Sequence, residues 1–324
     1  MYRTHFEQIR AALCLIVVLL TAAIAAPGWA AAPMAKTQAP GYYRLMLGDF
    51  EVTALSDGGF DLPVDKILTH ISPEKLATDL ARAHLQSPVD TSCNAFLINT
   101  GDKLVLVDTG AGLLFGPTGD HLLANLKASG YQPEQVDEIY ITHMHGDHIG
   151  GLIKDGQLVF VNAIVRADKA ESDFWLSQAN FDKSPEAMKG AFKSAMAMLS
   201  PYVAAGHFKP FEGETVLAPG ITAAPSHGHT PGHSSYVVES KGQKLVLIGD
   251  LVHVGAVQFS DPYATMTFDS DSKSAEAERK KIFTVAAQQG FLLGAAHLPF
   301  PGIGHVAAAG KGFLWQPIDY ARLR

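Results

Sequence analysis

The sequence predicts an α/β fold in which two sheets pack back to back and helices cover both outer faces. Three observations lead there. Short apolar runs alternate with helix-patterned stretches along most of the chain. Several of those runs end in a polar or ionisable residue: Asp108 after Leu104-Val105-Leu106-Val107, His143 after Ile139-Tyr140-Ile141, Asp250 after Leu245-Val246-Leu247-Ile248, and His297 after Leu292-Leu293. No Ser/Gly-rich tract, long charge run or low-complexity segment interrupts residues 31–324. Layered packing buries such runs, and polar residues at their C-terminal ends gather chemistry along one sheet edge.

Strands are expected over 50–55, 94–99, 103–108, 138–142, 163–167, 221–224, 236–239, 244–250 and 291–297, and helices over 121–128, 169–178, 186–204 and 273–289. The two halves share a weak similarity of pattern, each leading from strands to a histidine-bearing loop. Met188, Met196 and Met198 read as core fillers. At the N-terminus, Arg3 and Arg10 precede an apolar run over 11–26 and then Pro27-Gly28-Trp29-Ala30. The run is shorter than the ~20 residues a spanning helix needs. Residues 1–30 are therefore expected to be a signal peptide cleaved after Ala30. That leaves a single catalytic domain over 31–324, exported to the periplasm or secreted, with no stable membrane anchor. No adjacent arginine pair is present, which favours the general secretory route.

Loss of Arg3, Glu7 and Arg10 takes the formal net charge from −7 to −8. That acidity argues against nucleic acid, whose binding rests on cationic neutralisation of phosphates. Cys14 would leave with the leader, so Cys93 could form no intramolecular disulfide; it reads as a small buried apolar residue.

Chemistry concentrates in Thr142-His143-Met144-His145-Gly146-Asp147-His148, with three imidazoles and one carboxylate in seven residues. His143 and His145 are two apart and share a face on extended backbone. Asp147 and His148 follow where the chain should turn, and can aim at a second point. Further histidines come from Ser226-His227-Gly228-His229-Thr230-Pro231-Gly232-His233. One open tetrahedral zinc takes too few ligands to use them all; two metals sharing a bridge would. Imidazole and carboxylate donors without a thiolate fit zinc best, with manganese, cobalt or iron as alternatives.

These motifs, spread with Asp108-Thr109-Gly110, Gly249-Asp250 and His297 over residues 94–300, resemble the metallo-β-lactamase superfamily. From Gly41 almost to the C-terminus the chain is also similar to the methyl parathion hydrolase and dihydrocoumarin hydrolase group. Gly41-Tyr42-Tyr43-Arg44, Leu47-Gly48-Asp49-Phe50-Glu51, Asp173-Phe174-Trp175-Leu176-Ser177-Gln178 and Phe300-Pro301-Gly302-Ile303-Gly304-His305 carry that likeness. The resemblance implies the metallo-β-lactamase fold, a four-layer αβ/βα sandwich, and two divalent ions. It assigns His143, His145 and His229 to one ion and Asp147, His148 and His297 to the other, with Asp250 as bridge. Asp147 and Asp250 are then the carboxylates nearest the reaction. His227 and His233 become supporting or solvent residues, and Asp108 and His305 make structural hydrogen bonds. The implied reaction is hydrolysis, in which water activated by the metals attacks a carbonyl carbon or phosphorus. Iron redox members of the superfamily usually have glutamate where His145 stands, and no flavin or nicotinamide fingerprint is present. A homodimer is also implied.

In that group Phe115, Trp175 and Phe192 correspond to a hydrophobic entrance suited to aryl groups. The chain departs from the group's pattern at Lys189-Gly190-Ala191-Phe192, where two phenylalanines are usual, and is one residue shorter just before it. A basic residue of the organophosphatase pattern is shifted at Lys66-Ile67-Leu68. His253 and Phe268 replace aliphatic residues of the organophosphate-degrading members, which should narrow and polarise the pocket. Aryl esters and dihydrocoumarin-like lactones are thus expected to be better substrates than phosphotriesters. Alternatives are a main organophosphate hydrolase activity or acyl-homoserine-lactone hydrolysis. Antibiotic hydrolysis fits less well, because superfamily β-lactamases generally lack a bridging aspartate. Glyoxalase-type thioester hydrolysis and a non-catalytic metal-binding role also rank lower.

Overall fold

The computed structural model describes residues 3, 5–13 and 32–323. The chain divides into Met1–Ala39, where residues 5–13 are helical, and a compact unit, Pro40–Arg324. Most of the apolar run of the expected leader, with its cleavage point after Ala30, lies outside the described residues. Among those described, no helix is long and apolar enough to cross a membrane.

Within Pro40–Arg324 the first sheet has six strands, ordered Tyr42–Leu47, Phe50–Leu62, Val89–Asn99, Leu104–Val107, Glu138–Tyr140 and Ile164–Arg166. The second has seven, ordered Thr215–Ala218, Ile221–Pro225, Ser234–Ser240, Gln243–Leu247, Leu292–Gly294, Ile303–Ala309 and Gly312–Pro317. Side chains alternate across each strand. Val105 and Val107 meet Leu245 and Leu247 in the core between the sheets, together with Val52, Phe96, Tyr236 and Ile303. Leu104 and Leu106 turn the other way, under Leu126, Phe192 and Leu199 of the helices Leu122–Ala128 and Lys189–Ala204. Val246 and Ile248 likewise pack beneath Phe283 and Ala286 of helix Ser272–Gln289. This is the expected four-layer sandwich, and burial on both faces explains why the strands read as unbroken apolar runs.

Each sheet contains a parallel pair near its middle. Leu104–Val107 runs parallel to Glu138–Tyr140, and Gln243–Leu247 to Leu292–Gly294. Parallel neighbours end on the same side, so Asp108, His143, Asp250 and His297 are delivered to one edge. The predicted helix over 169–178 is broken into Lys169–Trp175 and Gln178–Lys183, and the one over 186–204 begins as a single 3₁₀ turn. The strands Tyr42–Leu47, Thr215–Ala218, Ile303–Ala309 and Gly312–Pro317 and the helix Pro73–Arg82 were not foreseen.

A bulge in Phe50–Leu62, between Ser56 and Gly58, leaves Asp57 without a cross-strand partner and turns it inward. Its carboxylate accepts from the backbone N–H groups of Ala111, Gly112 and Leu122 at 2.8, 3.1 and 2.8 Å, pinning both ends of the loop that carries Phe115. Asp57→Ala would orphan three buried donors at about 1–3 kcal/mol each. Urea unfolding should show a loss of more than ~2 kcal/mol; a loss within ~0.5 kcal/mol would mean that the loop is supported elsewhere.

Candidate metal centre

The edge where the parallel strands end carries two groups of converging donors. One comprises His143, His145, His229 and Asp250, the other Asp147, His148, His297 and Asp250, each with its ligand atoms within 4.8 Å of one another. All seven residues are buried except half-buried His145. In the first group, His145 Nδ1 lies 3.0 Å from His143 Nε2 and 3.1 Å from His229 Nε2. Asp250 Oδ2 is 3.6 Å from the former nitrogen and 3.4 Å from the latter. In the second, Asp147 Oδ2 is 3.6 Å from His148 Nε2 and 3.3 Å from His297 Nε2. Asp250 completes it, with Oδ1 3.2 Å from His148 Nε2 and Oδ2 3.1 Å from His297 Nε2.

These spacings suit metal ions. Tetrahedral bonds of about 2.0–2.2 Å hold ligands about 3.3–3.6 Å apart. The orphaned atoms agree, since His148 Nε2 and Asp250 Oδ1 are buried, close together and without a hydrogen bond among the described residues. The ring nitrogens facing away are anchored. His148 Nδ1 donates to Asp108 Oδ2 at 2.8 Å, His229 Nδ1 to Asp269 Oδ1 at 2.8 Å and His297 Nδ1 to the Ser92 carbonyl at 2.9 Å. His143 Nδ1 is 3.1 Å from Thr142 Oγ1, whose own proton goes to Asp108 Oδ2. Such bonds orient each ring and fix its neutral tautomer, the form in which the nitrogen that faces the centre offers a lone pair to a metal.

The loops are held as firmly as the rings. Asp108 sits at a positive φ of 60°, which aspartate tolerates better than most side chains. The backbone N–H of Thr142 also donates to it, at 2.8 Å. Buried Glu171 takes the Met144 N–H on one oxygen at 2.8 Å, and the Thr230 hydroxyl and Gly232 N–H on the other at 2.7 and 2.8 Å. It thereby ties the His143–His145 segment to the loop of His229. A Cβ on Gly232 would lie 2.2 Å from the Glu171 nitrogen, so the close approach requires glycine. His233 is buried and serves from behind, accepting from the Asp250 N–H through Nε2 at 3.1 Å, with Nδ1 2.9 Å from Ser226 Oγ. Cys93, also buried, donates its thiol to the Asp147 carbonyl at 3.2 Å. Asp108 makes the structural bonds expected of it, whereas His305 is exposed on Ile303–Ala309, and His227 is exposed 3.8 Å from Asp168.

A cavity of about 450 Å³ opens onto His145, Asp147, Asp250 and His297. Phe115, His253 and Phe268 line it, joined by Phe60, which the sequence reading missed. Phe60 meets Phe115 edge to face at 5.2 Å, and Phe268 meets His253 at 5.4 Å. The expectation for Trp175 and Phe192 needs correcting. Both are fully buried and do not reach the cavity. The Trp175 indole is sandwiched between His145, at 5.4 Å, and Phe192, at 4.8 Å, so it braces a ring of the centre from below. Gly190, Ala191 and Ser194 form that wall instead.

Charge explains why such a cluster calls for cations. Burial disfavours imidazolium at His148 and His297, but Asp250 and its neighbours outweigh it, raising His148 well above its ordinary value and His297 to about 10. Burial would likewise raise Asp147 and Asp250, yet His148 and His297 hold both below the ordinary carboxylate range. At His143 and His145 burial prevails, with His145 down to about 3.

Comparison with known proteins agrees with this construction. The family model for the metallo-beta-lactamase superfamily matches residues 88–297, and the chain belongs to that superfamily. It is a dinuclear metallohydrolase by class. The crystal structure of hydrolase AbOPH, in the beta lactamase superfamily, aligns at a TM-score of 0.84 with 39% identity, covering 88% of this chain and all of that one. AidC, a dizinc quorum-quenching lactonase in complex with the product N-hexanoyl-L-homoserine, aligns at 0.80 with 28% identity, covering 87% and 99% of the two chains. An N-acyl homoserine lactonase from Bacillus sp is 26% identical over 205 residues, 57% of this chain and 74% of that protein.

In the metal-free protein, protons on His148 and His297 balance the carboxylates, so metal uptake should expel them. Zinc affinity should therefore rise from about pH 6 to about pH 9. Calorimetric enthalpies that do not change between buffers of different ionisation heat would contradict this. Glu171→Gln leaves one oxygen to serve two loops, and zinc should escape to a chelator about tenfold faster; an unchanged rate would make Glu171 irrelevant to the centre.

Proposed function

We propose that the chain hydrolyses carboxylic esters and lactones, aryl esters and aromatic lactones above phosphotriesters. The observation that carries this reading is the lining of the cavity over the centre, where Phe60, Phe115 and Phe268 supply phenyl walls beside His253. Phenyl walls favour a flat ring or aryl leaving group. A tetrahedral phosphotriester presents bulk in every direction, and Phe268 and His253 stand in its way. In this reading His143, His145, His229 and Asp250 would hold one divalent ion and Asp147, His148, His297 and Asp250 the other, zinc being the best fit to these donors. When bound, the pair supplies an activated water and Lewis acidity. Asp250 spans both positions, while Asp108, Asp269 and Glu171 keep the ligands aimed. The aromatic walls orient the ester group and exclude bulk water.

Acyl-homoserine lactones are the second reading. The names of AidC and of the Bacillus relative favour it, and the cavity admits a small lactone ring. The resemblance to the methyl parathion and dihydrocoumarin hydrolase group supports the aryl preference.

With the zinc-loaded protein, dihydrocoumarin and phenyl esters should exceed methyl parathion in kcat/KM by at least about tenfold. The reverse order would sink the preference argued from the cavity lining. Phe268→Leu combined with His253→Leu should raise phosphotriester hydrolysis by about tenfold or more, and an unchanged rate would remove these two residues from the argument.

A further inference from the structure

A second hollow, of about 460 Å³, abuts the same reactive edge. Thr91, His253 and His297 line both it and the metal cavity, so these three side chains form the seam between them. The rest of its wall is largely apolar, with Leu85, Val89, Phe259, Leu314 and Trp315 prominent. One antiparallel strand pair serves both spaces: Phe60 lies across from Thr91, and Leu62 across from Val89. The seam also contains an unusual group. His253 is 5% exposed, and neither of its ring nitrogens has a hydrogen-bond partner among the described residues. Its Nε2 stands 3.0 Å from Asp250 Oδ2 without the alignment of a hydrogen bond. The ring is held through its backbone instead, because Gln258 Oε1 accepts from the N–H groups of His253 and Val254 at 2.7 and 3.0 Å. Buried polar atoms left bare in this way call for an explanation, and an absent ligand is one.

We propose that this second hollow is a subsite for an unbranched apolar arm on the acyl side of the substrate. The scissile group sits over the centre, its ring or aryl part lies among Phe60, Phe115 and Phe268, and the acyl arm passes Thr91 and His253 into the groove. An ester or amide oxygen at the crossing gives His253 the partner it lacks. Each space is large enough for one part of such a molecule. The assignment rests on the ester and lactone hydrolysis proposed above, and adds to it the extended form of the substrate.

The test is an acyl series, from butanoyl to decanoyl, on one constant aryl leaving group, with the full-length zinc-loaded protein. Burying each added methylene should raise kcat/KM about fourfold until the groove is filled. Leu85 and Leu314 are 39% and 53% exposed, so an aspartate at either position should leave the fold intact. Leu85→Asp and Leu314→Asp should each cut the decanoyl-to-butanoyl ratio about tenfold or more. A flat series, or a slope that both variants leave unaltered, overturns the proposal. So does a Leu314→Asp chain that changes oligomeric mass but not slope, since a second copy would then be what covers the groove. If no ester or lactone is turned over, the hydrolase reading fails separately. Decanoate binding by calorimetry then decides the groove: binding that Leu314→Asp abolishes supports it, and no binding to the unaltered protein overturns it.

Discussion

Everything in this molecule depends on balancing the charge of three carboxylates buried at one edge of a sandwich. Asp108, Asp147 and Asp250 are each less than a tenth exposed and lie among His143, His148, His229 and His297. Carboxylates cannot stay ionised out of water without paired charge. Protons on the histidines provide one solution and two divalent ions a better one. Asp250 is central because it faces both groups of imidazoles, with Oδ2 beside His143, His229 and His297 and Oδ1 beside His148.

The fold meets this demand by repetition. Each half contributes a parallel pair, and the C-terminal ends of both pairs meet at the centre. Apolar strands buried on both faces give these ends a rigid base, and a rigid base positions ligands better than a loop alone. The loops are then tied down by carboxylates that face no substrate: Asp57 under the Phe115 loop, Glu171 between two histidine segments and Asp269 behind His229. Substrate choice falls to the residues above, where a phenyl-walled cavity and an adjoining apolar groove meet at His253.

The cluster from His143 to His148 was legible in the sequence because its spacing is local and the chemistry tolerates few residue types, whereas His229, Asp250 and His297, far along the chain, were reached as ligands only through the family resemblance. The central strands were legible too, since burial on two faces writes a continuous apolar run. What was hidden is what acts at a distance. Glu171 bonds partners 27, 59 and 61 residues away, and nothing in its own neighbourhood marks it. Asp57 depends on a bulge that no periodicity reveals. The family resemblance places Trp175 at the entrance but does not say which side of the wall the indole occupies; packing against Phe192 sets it inside. Ile303–Ala309 escaped because its alanines and glycine give the strand little β character, and Gly312–Pro317 because its short apolar run is bracketed by glycine and proline.

Anomalous diffraction from zinc-loaded crystals bears most directly on the central claim. Two peaks per chain are expected, one bounded by His143, His145 and His229 and the other by Asp147, His148 and His297, with Asp250 touching both. A single peak, or metal held away from Asp250, would contradict it.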